Sequence, residues 1–183
     1  MTGTMQDSIA RVLVSEEMLQ QRVRELGAQI TADYRGKKPF FLGVLKGCFV
    51  FMADLIRCVD LPCSLDFMVL SSYGGGTSTS GAVEIRKDLT RDIAGMDVII
   101  VEDIIDSGIT LHYLREYLSR RNPASIHIVT LLNKPERRRT EIEPDYSGFT
   151  IPDAFVVGYG LDYAEEYRNL PYIGVLKPEV YEK

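Results

Sequence analysis

The sequence predicts an α/β fold: a mainly parallel central sheet flanked by helices. Two observations carry this. Runs of strand character alternate with runs at helical spacing along the 183 residues. The strand runs Phe40–Leu45 and Val98–Val101 are apolar almost without interruption, which suits strands covered on both faces. In such sheets ligands collect beyond the carboxyl ends of the strands. Lys46, Glu102, Asp103, Asp106, Lys134 and Asp162 all follow strand runs, so they are expected to converge on one edge.

Taken in order, Ser15-Glu16-Glu17 opens a helix with a hydroxyl cap and early acids. Met18, Leu19, Val23, Leu26 and Ile30 recur at helical spacing and give it a core face. Gly36 to Pro39 is a turn before the strand Phe40–Leu45. Cys48 to Val59 reads as a helix with Phe49, Met52, Ala53 and Ile56 inward. Between strand and helix, Lys46-Gly47 can meet an anion through side chain and backbone together. Spacing alone favours a solvated lysine beside a turn glycine. Ser64–Leu70, with Asp66 inside it, and Ala82–Lys87 read as hairpin strands. The stretch from Ser71 to Gly81 between them has too little apolar area to hold itself down. It reads either as a passive loop or as a lid anchored by Tyr73.

Met96 to Thr110, MDVIIVEDIIDSGIT, is the stretch on which the rest turns. A buried β-branched run meets Glu102 and Asp103, then Asp106-Ser107-Gly108 leads into a helical pattern. Carboxylates at the end of a buried strand are costly unless donors or cations satisfy them. Gly108 can take a positive φ that turns backbone amides toward one point. Ser107 and Thr110 add hydroxyls, and the next helix adds its positive end. Asp-Ser-Gly alone is also an ordinary turn and cap. The acid pair ahead of it favours a site for a molecule with both hydroxyls and a phosphate.

Leu111–Arg121 then reads as a helix and Ser125–Leu132 as a strand, with Arg137-Arg138-Arg139 as a solvated charge run. Ala154–Val157 and Tyr172–Leu176 are the last strands. The net charge of −5 and pI near 5.1 argue against a general nucleic-acid binder. Cys48, Cys58 and Cys63 suit reduced, packed thiols in a cytoplasmic protein. The first ten residues hold no apolar signal core, and Lys46 interrupts the most apolar stretch, so no membrane span is expected. Length and composition suit a single domain, residues 1–183.

VIIVEDIIDSGIT resembles the phosphoribosyl-pyrophosphate signature of the type I phosphoribosyltransferases. With LKG at Leu45–Gly47, SSYGGGT at Ser71–Thr77, LLNKPERR at Leu131–Arg138 and FVVGYGLDYAEEYRNLPY at Phe155–Tyr172, it is similar to bacterial hypoxanthine–guanine phosphoribosyltransferases from about Leu13 to Leu176. The resemblance implies a hood formed by the terminal segments and a lid at about residues 71–82. It implies purine salvage: transfer of phosphoribosyl from phosphoribosyl pyrophosphate to hypoxanthine or guanine, giving IMP or GMP and pyrophosphate, with Mg²⁺. Glu102 and Asp103 would hold the ribose hydroxyls, directly or through the metal. Asp106, Ser107, Gly108, Ile109 and Thr110 would wrap the 5′-phosphate, with Asp106 also the general base. Lys46, Gly47 and Arg168 would meet pyrophosphate, in a loop with a non-proline cis peptide. Ser72 and Tyr73 would close over the site. Lys134, Phe155 and Val156 would hold the purine, and Asp162 would lie near its edge and a second Mg²⁺. Relatives are usually homodimers or homotetramers. Ser107 stands where many have threonine, and Ile109 where some have lysine, so here the backbone must bind phosphate without that side chain. A regulatory protein that binds RNA, with Arg137–Arg139 as its support, and a transferase for xanthine or uracil are the alternatives.

Overall fold

The β-branched run at 98–101 lies inside a six-stranded sheet, as its composition requires. The structure is a computed structural model that describes residues 4–72 and 83–182. Its elements are β1 (Ile9–Val14), α1 (Glu16–Asp33), β2 (Phe40–Leu45), α2 (Phe49–Arg57), β3 (Ser64–Ser72), β4 (Val83–Lys87), β5 (Asp97–Ile105), α3 (Ile109–Ser119), β6 (Ser125–Asn133), β7 (Tyr146–Thr150), β8 (Val156–Val157), β9 (Ile173–Leu176) and α4 (Pro178–Tyr181). The large sheet has the order β4-β3-β2-β5-β6-β7 and is parallel except for β4, which pairs antiparallel with β3. A second sheet, β1-β9-β8, is antiparallel and joins the two ends of the chain as a hood.

Period-two alternation divides the core. Phe40, Leu42, Val98 and Ile100 pack with Leu111, Leu114 and Leu118 of α3. Phe41, Ile99 and Val101 pack on the other face with Leu19, Val23, Leu26 and Ile30 of α1 and with Phe51, Met52 and Leu55 of α2. Ser15 caps α1 as expected, its Oγ accepting from the Met18 amide at 3.3 Å. Asp66 within β3 is satisfied by the Thr90 amide and hydroxyl at 2.8 and 2.7 Å and by Lys87 Nζ at 3.0 Å. At the far edge, the Arg22 guanidinium from α1 donates to the β7 carbonyls of Gly148 at 3.1 Å and Ser147 at 2.8 Å.

Several expectations are corrected. β5 does not end at the acid pair but continues through it to Ile105, because Glu102, Ile104 and Ile105 keep their pairing with Thr130, Leu132 and Asn133 of β6. Met18 is exposed, lying on the outer side of α1. The buried face of α2 is Phe51, Met52 and Leu55, while Phe49 and Ala53 face outward. The periodicity of a nine-residue apolar helix is too weak to fix its rotation. Cys48 is packed, but Cys63 is exposed. β1, β7 and α4 were not legible as separate elements. The lid stretch with Tyr73 lies outside the described residues, and of Ser72 only the backbone, closing β3, is described.

The rotation of α2 and the outward turn of Met18 can be checked together. Phe51→Ala should lower unfolding free energy by about 3 kcal/mol or more, and Met18→Ala by less than about 1 kcal/mol. Urea unfolding of both variants measures this; equal losses would contradict the packing described.

Candidate active site at the carboxyl ends of the strands

The site forms where β2, β5 and β6 end and the hood leans over them. A cleft of about 160 Å³ is lined by Glu102 to Gly108, Thr110 and Leu111. At its strand end stand the two adjacent acids. Glu102 is buried, and burial with the neighbouring Asp103 charge pushes its carboxyl well above the usual range. Asp103 is raised to about 6, chiefly by burial, with Asp162 adding to the rise and Arg168 opposing it. Its Oδ1 accepts from the Ile104 amide at 2.7 Å. Its Oδ2 presses on Gly47, where an added Cβ would lie only 1.6 Å away. A side chain at 47 would therefore displace the acid. The Leu45–Lys46 peptide before it is cis, as the resemblance implies.

The other end of the cleft is the anion loop. Gly108 has φ +80° and caps α3, a conformation that favours glycine. An added Cβ there would meet Thr140 Oγ1 at 2.5 Å and Ile142 Cγ2 at 2.6 Å, so the segment after β6 supports the loop from behind. The Ile109 amide donates to Ser107 Oγ at 3.4 Å.

The arginine run is solvated at Arg137 and Arg139, as expected, but Arg138 turns inward, and that is the site feature the sequence does not show. Arg138 is nearly buried; its Nη1 donates to the Asp106 carbonyl at 2.7 Å and its Nη2 to Asn133 Oδ1. The Arg139 amide donates to the Ser107 carbonyl at 2.9 Å. Arg137 Nε lies 3.1 Å from Asp106 Oδ1, an oxygen that is buried and receives no well-directed hydrogen bond. A run of like charges reads as solvated unless something nearby needs it, and the carbonyls of residues 106 and 107 are not visible as a need in sequence. With Arg138 engaged internally, the run offers two exposed guanidinium groups rather than three.

Of the remaining expected residues, Lys134 lies near Asp106, and Arg168 and Asp162 lie near Asp103. Lys134 is buried, its Nζ donates to the Ala154 carbonyl at 2.7 Å, and its amide donates to the Ile105 carbonyl at 2.9 Å. Burial draws its ammonium below the usual lysine value, against the opposing pull of Asp106 and Asp153. Phe155 is partly exposed; it stacks on Tyr181 at 4.7 Å and meets the edge of Tyr163 at 5.6 Å. Val156 is buried in β8. Arg168 Nη2 pairs with Asp162 Oδ1 at 2.9 Å, and Asp162 Oδ2 accepts from the Glu165 amide at 2.9 Å. Lys46 Nζ reaches Glu165 Oε2 at 2.9 Å.

Paired oxygen donors beside an anion loop suit Mg²⁺, which is held by one or two carboxylates while substrate phosphates and water complete its shell. Among the described residues no group of three acids, histidines or cysteines forms a metal cluster by itself. The raised carboxyls of Glu102 and Asp103 are a second sign of fit, since a divalent cation would offset the burial that chiefly raises them.

Fold and site together define a phosphoribosyltransferase. Residues 14–164 match the family model of the phosphoribosyl transferase domain. The chain is 57% identical over 178 residues to the hypoxanthine-guanine phosphoribosyltransferase of Bacillus subtilis, covering 97% of this chain and 99% of that protein. It is 55% identical to the bifunctional protein TilS/HprT of Listeria monocytogenes, matching 97% of this chain but spanning only 28% of that longer protein. The crystal structure of a hypoxanthine phosphoribosyltransferase from Staphylococcus aureus superposes with a TM-score of 0.96 at 53% identity, covering 100% of both chains. The chain belongs to the hypoxanthine-guanine phosphoribosyltransferase family.

The acid pair makes stability pH-dependent in a stated direction. A carboxyl whose folded pKa is raised to about 6 binds its proton more tightly folded than unfolded. Stability therefore falls as pH rises from the unfolded pKa, about 4, to the folded one. At pH 7.5 without metal, Asp103→Asn should gain on the order of 1 kcal/mol, a rise of about 2–4 °C in melting temperature. Thermal melts of both proteins from pH 4 to 8 test it; a loss at pH 7.5 would contradict the direction of the shift.

Proposed function

We propose that this chain transfers the 5-phosphoribosyl group from phosphoribosyl pyrophosphate to hypoxanthine or guanine, forming IMP or GMP and pyrophosphate in purine salvage. One observation carries this reading: the acid pair and the amide-rich loop line one cleft, with Lys134 and Asp106 at the same rim. A sugar phosphate fits the first two, and a 6-oxopurine fits Lys134.

In this reaction the C1′–O bond to pyrophosphate breaks and the C1′–N9 bond forms. Positive charge develops on the ribose, and negative charge develops on the leaving group. Lys46 and Arg168 stabilise the departing pyrophosphate from the hood side. Glu102 and Asp103 would hold the ribose hydroxyls or Mg²⁺, and Asp162 would help hold a second ion; bound metal would supply positive charge to the diphosphate. The Asp106 carboxylate accepts the purine N7 proton, a contribution typically of ~10²–10⁴-fold. Lys134 donates to the 6-oxo oxygen and selects against adenine, whose 6-amino group offers only donors, by about 10⁴-fold. Phe155 stacks on the base, and the Val156 backbone reads its edge. Ser72 and Tyr73 close over the reactants and keep water from the ribosyl cation.

We also place the protein in the cytoplasm as a homodimer or homotetramer. No helix among the described residues is long and apolar enough to cross a membrane. Met5, Val12, Met18 and Phe49 supply exposed apolar surface for association. Sedimentation equilibrium reads the copy number, and a monomer at micromolar concentration would refute this part.

Steady-state assays with hypoxanthine, guanine, xanthine, uracil and adenine, each with phosphoribosyl pyrophosphate and Mg²⁺, test the reaction. Turnover is expected with the first two and not with adenine or uracil. Asp106→Asn should lower kcat by about 10²-fold or more while IMP binding stays measurable; unchanged turnover would remove Asp106 from the mechanism.

A further inference from the structure

One part-buried contact joins the hood to the helix behind the Lys46-Gly47 loop, and no step above uses it. Asp54 lies on α2, the helix that follows Lys46-Gly47. Its Oδ2 accepts from the Tyr159 hydroxyl at 2.5 Å and from Gln20 Nε2 at 3.2 Å. Tyr159 is only 4% exposed. Burial and the Asp54 carboxylate hold its phenol well above the usual value, so it stays a donor.

Tyr159 has φ +51°, between Gly158 at +101° and Gly160 at +105°. A bulky residue keeps a left-handed backbone only where its surroundings over-determine it. Here they do. The Tyr159 amide donates to the Leu170 carbonyl at 2.8 Å, and the Gly160 amide donates to the Arg168 carbonyl at 2.9 Å. Arg168 Nη1 returns a bond to the Gly160 carbonyl at 2.8 Å. On its other side Gly160 abuts the loop: an added Cβ would lie 2.2 Å from the Gly47 carbonyl oxygen. Gly160 is thus a spacer with Arg168 on one side and Gly47 on the other. The tyrosine ring fastens that spacer to the same helix that begins at the loop.

We propose that Tyr159 is a positioning residue: through its bond to Asp54 it sets the distance between Arg168 and the Lys46-Gly47 loop, and so the affinity for the diphosphate of phosphoribosyl pyrophosphate. This rests on the function proposed above, because the two arms matter only if a diphosphate spans them. The base side should sense it less: Lys134 hangs from β6 and its own contacts, and Phe155, although it precedes the turn, is held separately by Tyr163 and Tyr181.

The test is a split between substrates. Tyr159→Phe should raise KM for phosphoribosyl pyrophosphate, and Kd for pyrophosphate with Mg²⁺ by calorimetry, about tenfold. kcat and KM for hypoxanthine should stay within about twofold. Asp54→Ala should reproduce this, Asp54→Asn, which keeps an acceptor oxygen, should show a smaller change, and the double variant Tyr159→Phe/Asp54→Ala should add little to either single one. Melting curves accompany each variant. If Tyr159→Phe does not fold, the contrast between Asp54→Ala and Asp54→Asn decides. Unchanged pyrophosphate affinity, or a loss shared equally by both substrates, overturns the proposal. A wild-type protein that binds pyrophosphate but turns over no purine defeats the proposed function instead, and the pyrophosphate binding comparison still judges Tyr159.

Discussion

Two carboxylates set side by side and withdrawn from water are the constraint to which the surroundings answer. Glu102 and Asp103 lie within a strand that stays paired with β6 on either side of them, which fixes their backbone at the strand end. The residues around them divide the work of making that tolerable. Gly47 leaves room for one oxygen, Arg168 lends it distant positive charge, and the cleft in front offers space for cation and sugar. Such an arrangement is unfavourable for an empty protein and favourable for a liganded one, which is the usual relation between an active site and the stability of its fold.

The anion loop shows the same logic with opposite sign. Backbone amides can face a phosphate only if the carbonyls on the same turn are satisfied elsewhere. Arg138, the Arg139 amide and the Thr140 hydroxyl, at 3.4 Å from the Ser107 carbonyl, provide that from behind. The loop is therefore shaped by the segment after β6 as much as by its own glycine.

The central strands, the hairpin at β3–β4 and the convergence of acids, Lys134 and the glycine loop were legible because each shows in composition or local order. An apolar run ending in paired acids has few structural explanations. What was not legible depends on partners distant in sequence. The face of α2 is chosen by β2 and α1, not by its own nearly uniform apolar residues. The role of Arg138 is set by carbonyls more than thirty positions earlier, at residue 106. β1 becomes a strand only because β9 lies beside it. The Gly-Tyr-Gly turn at 158–160 was visible, but nothing local tells that its tyrosine reaches Asp54.

The guanidinium of Arg22 across the rim of β7 has a meaning beyond packing. An open sheet ends in unpaired backbone groups, and those groups are a template on which a foreign strand, or another copy of the same chain, can continue the ladder into a fibril. With the Ser147 and Gly148 carbonyls already engaged, that template is blunted at one border. At the other border β4 alternates Glu84, Arg86 and Lys87 with its apolar residues, which deters an incoming strand by charge. Both margins of the sheet thus carry a deterrent to edge-to-edge pairing, apart from anything the cleft requires.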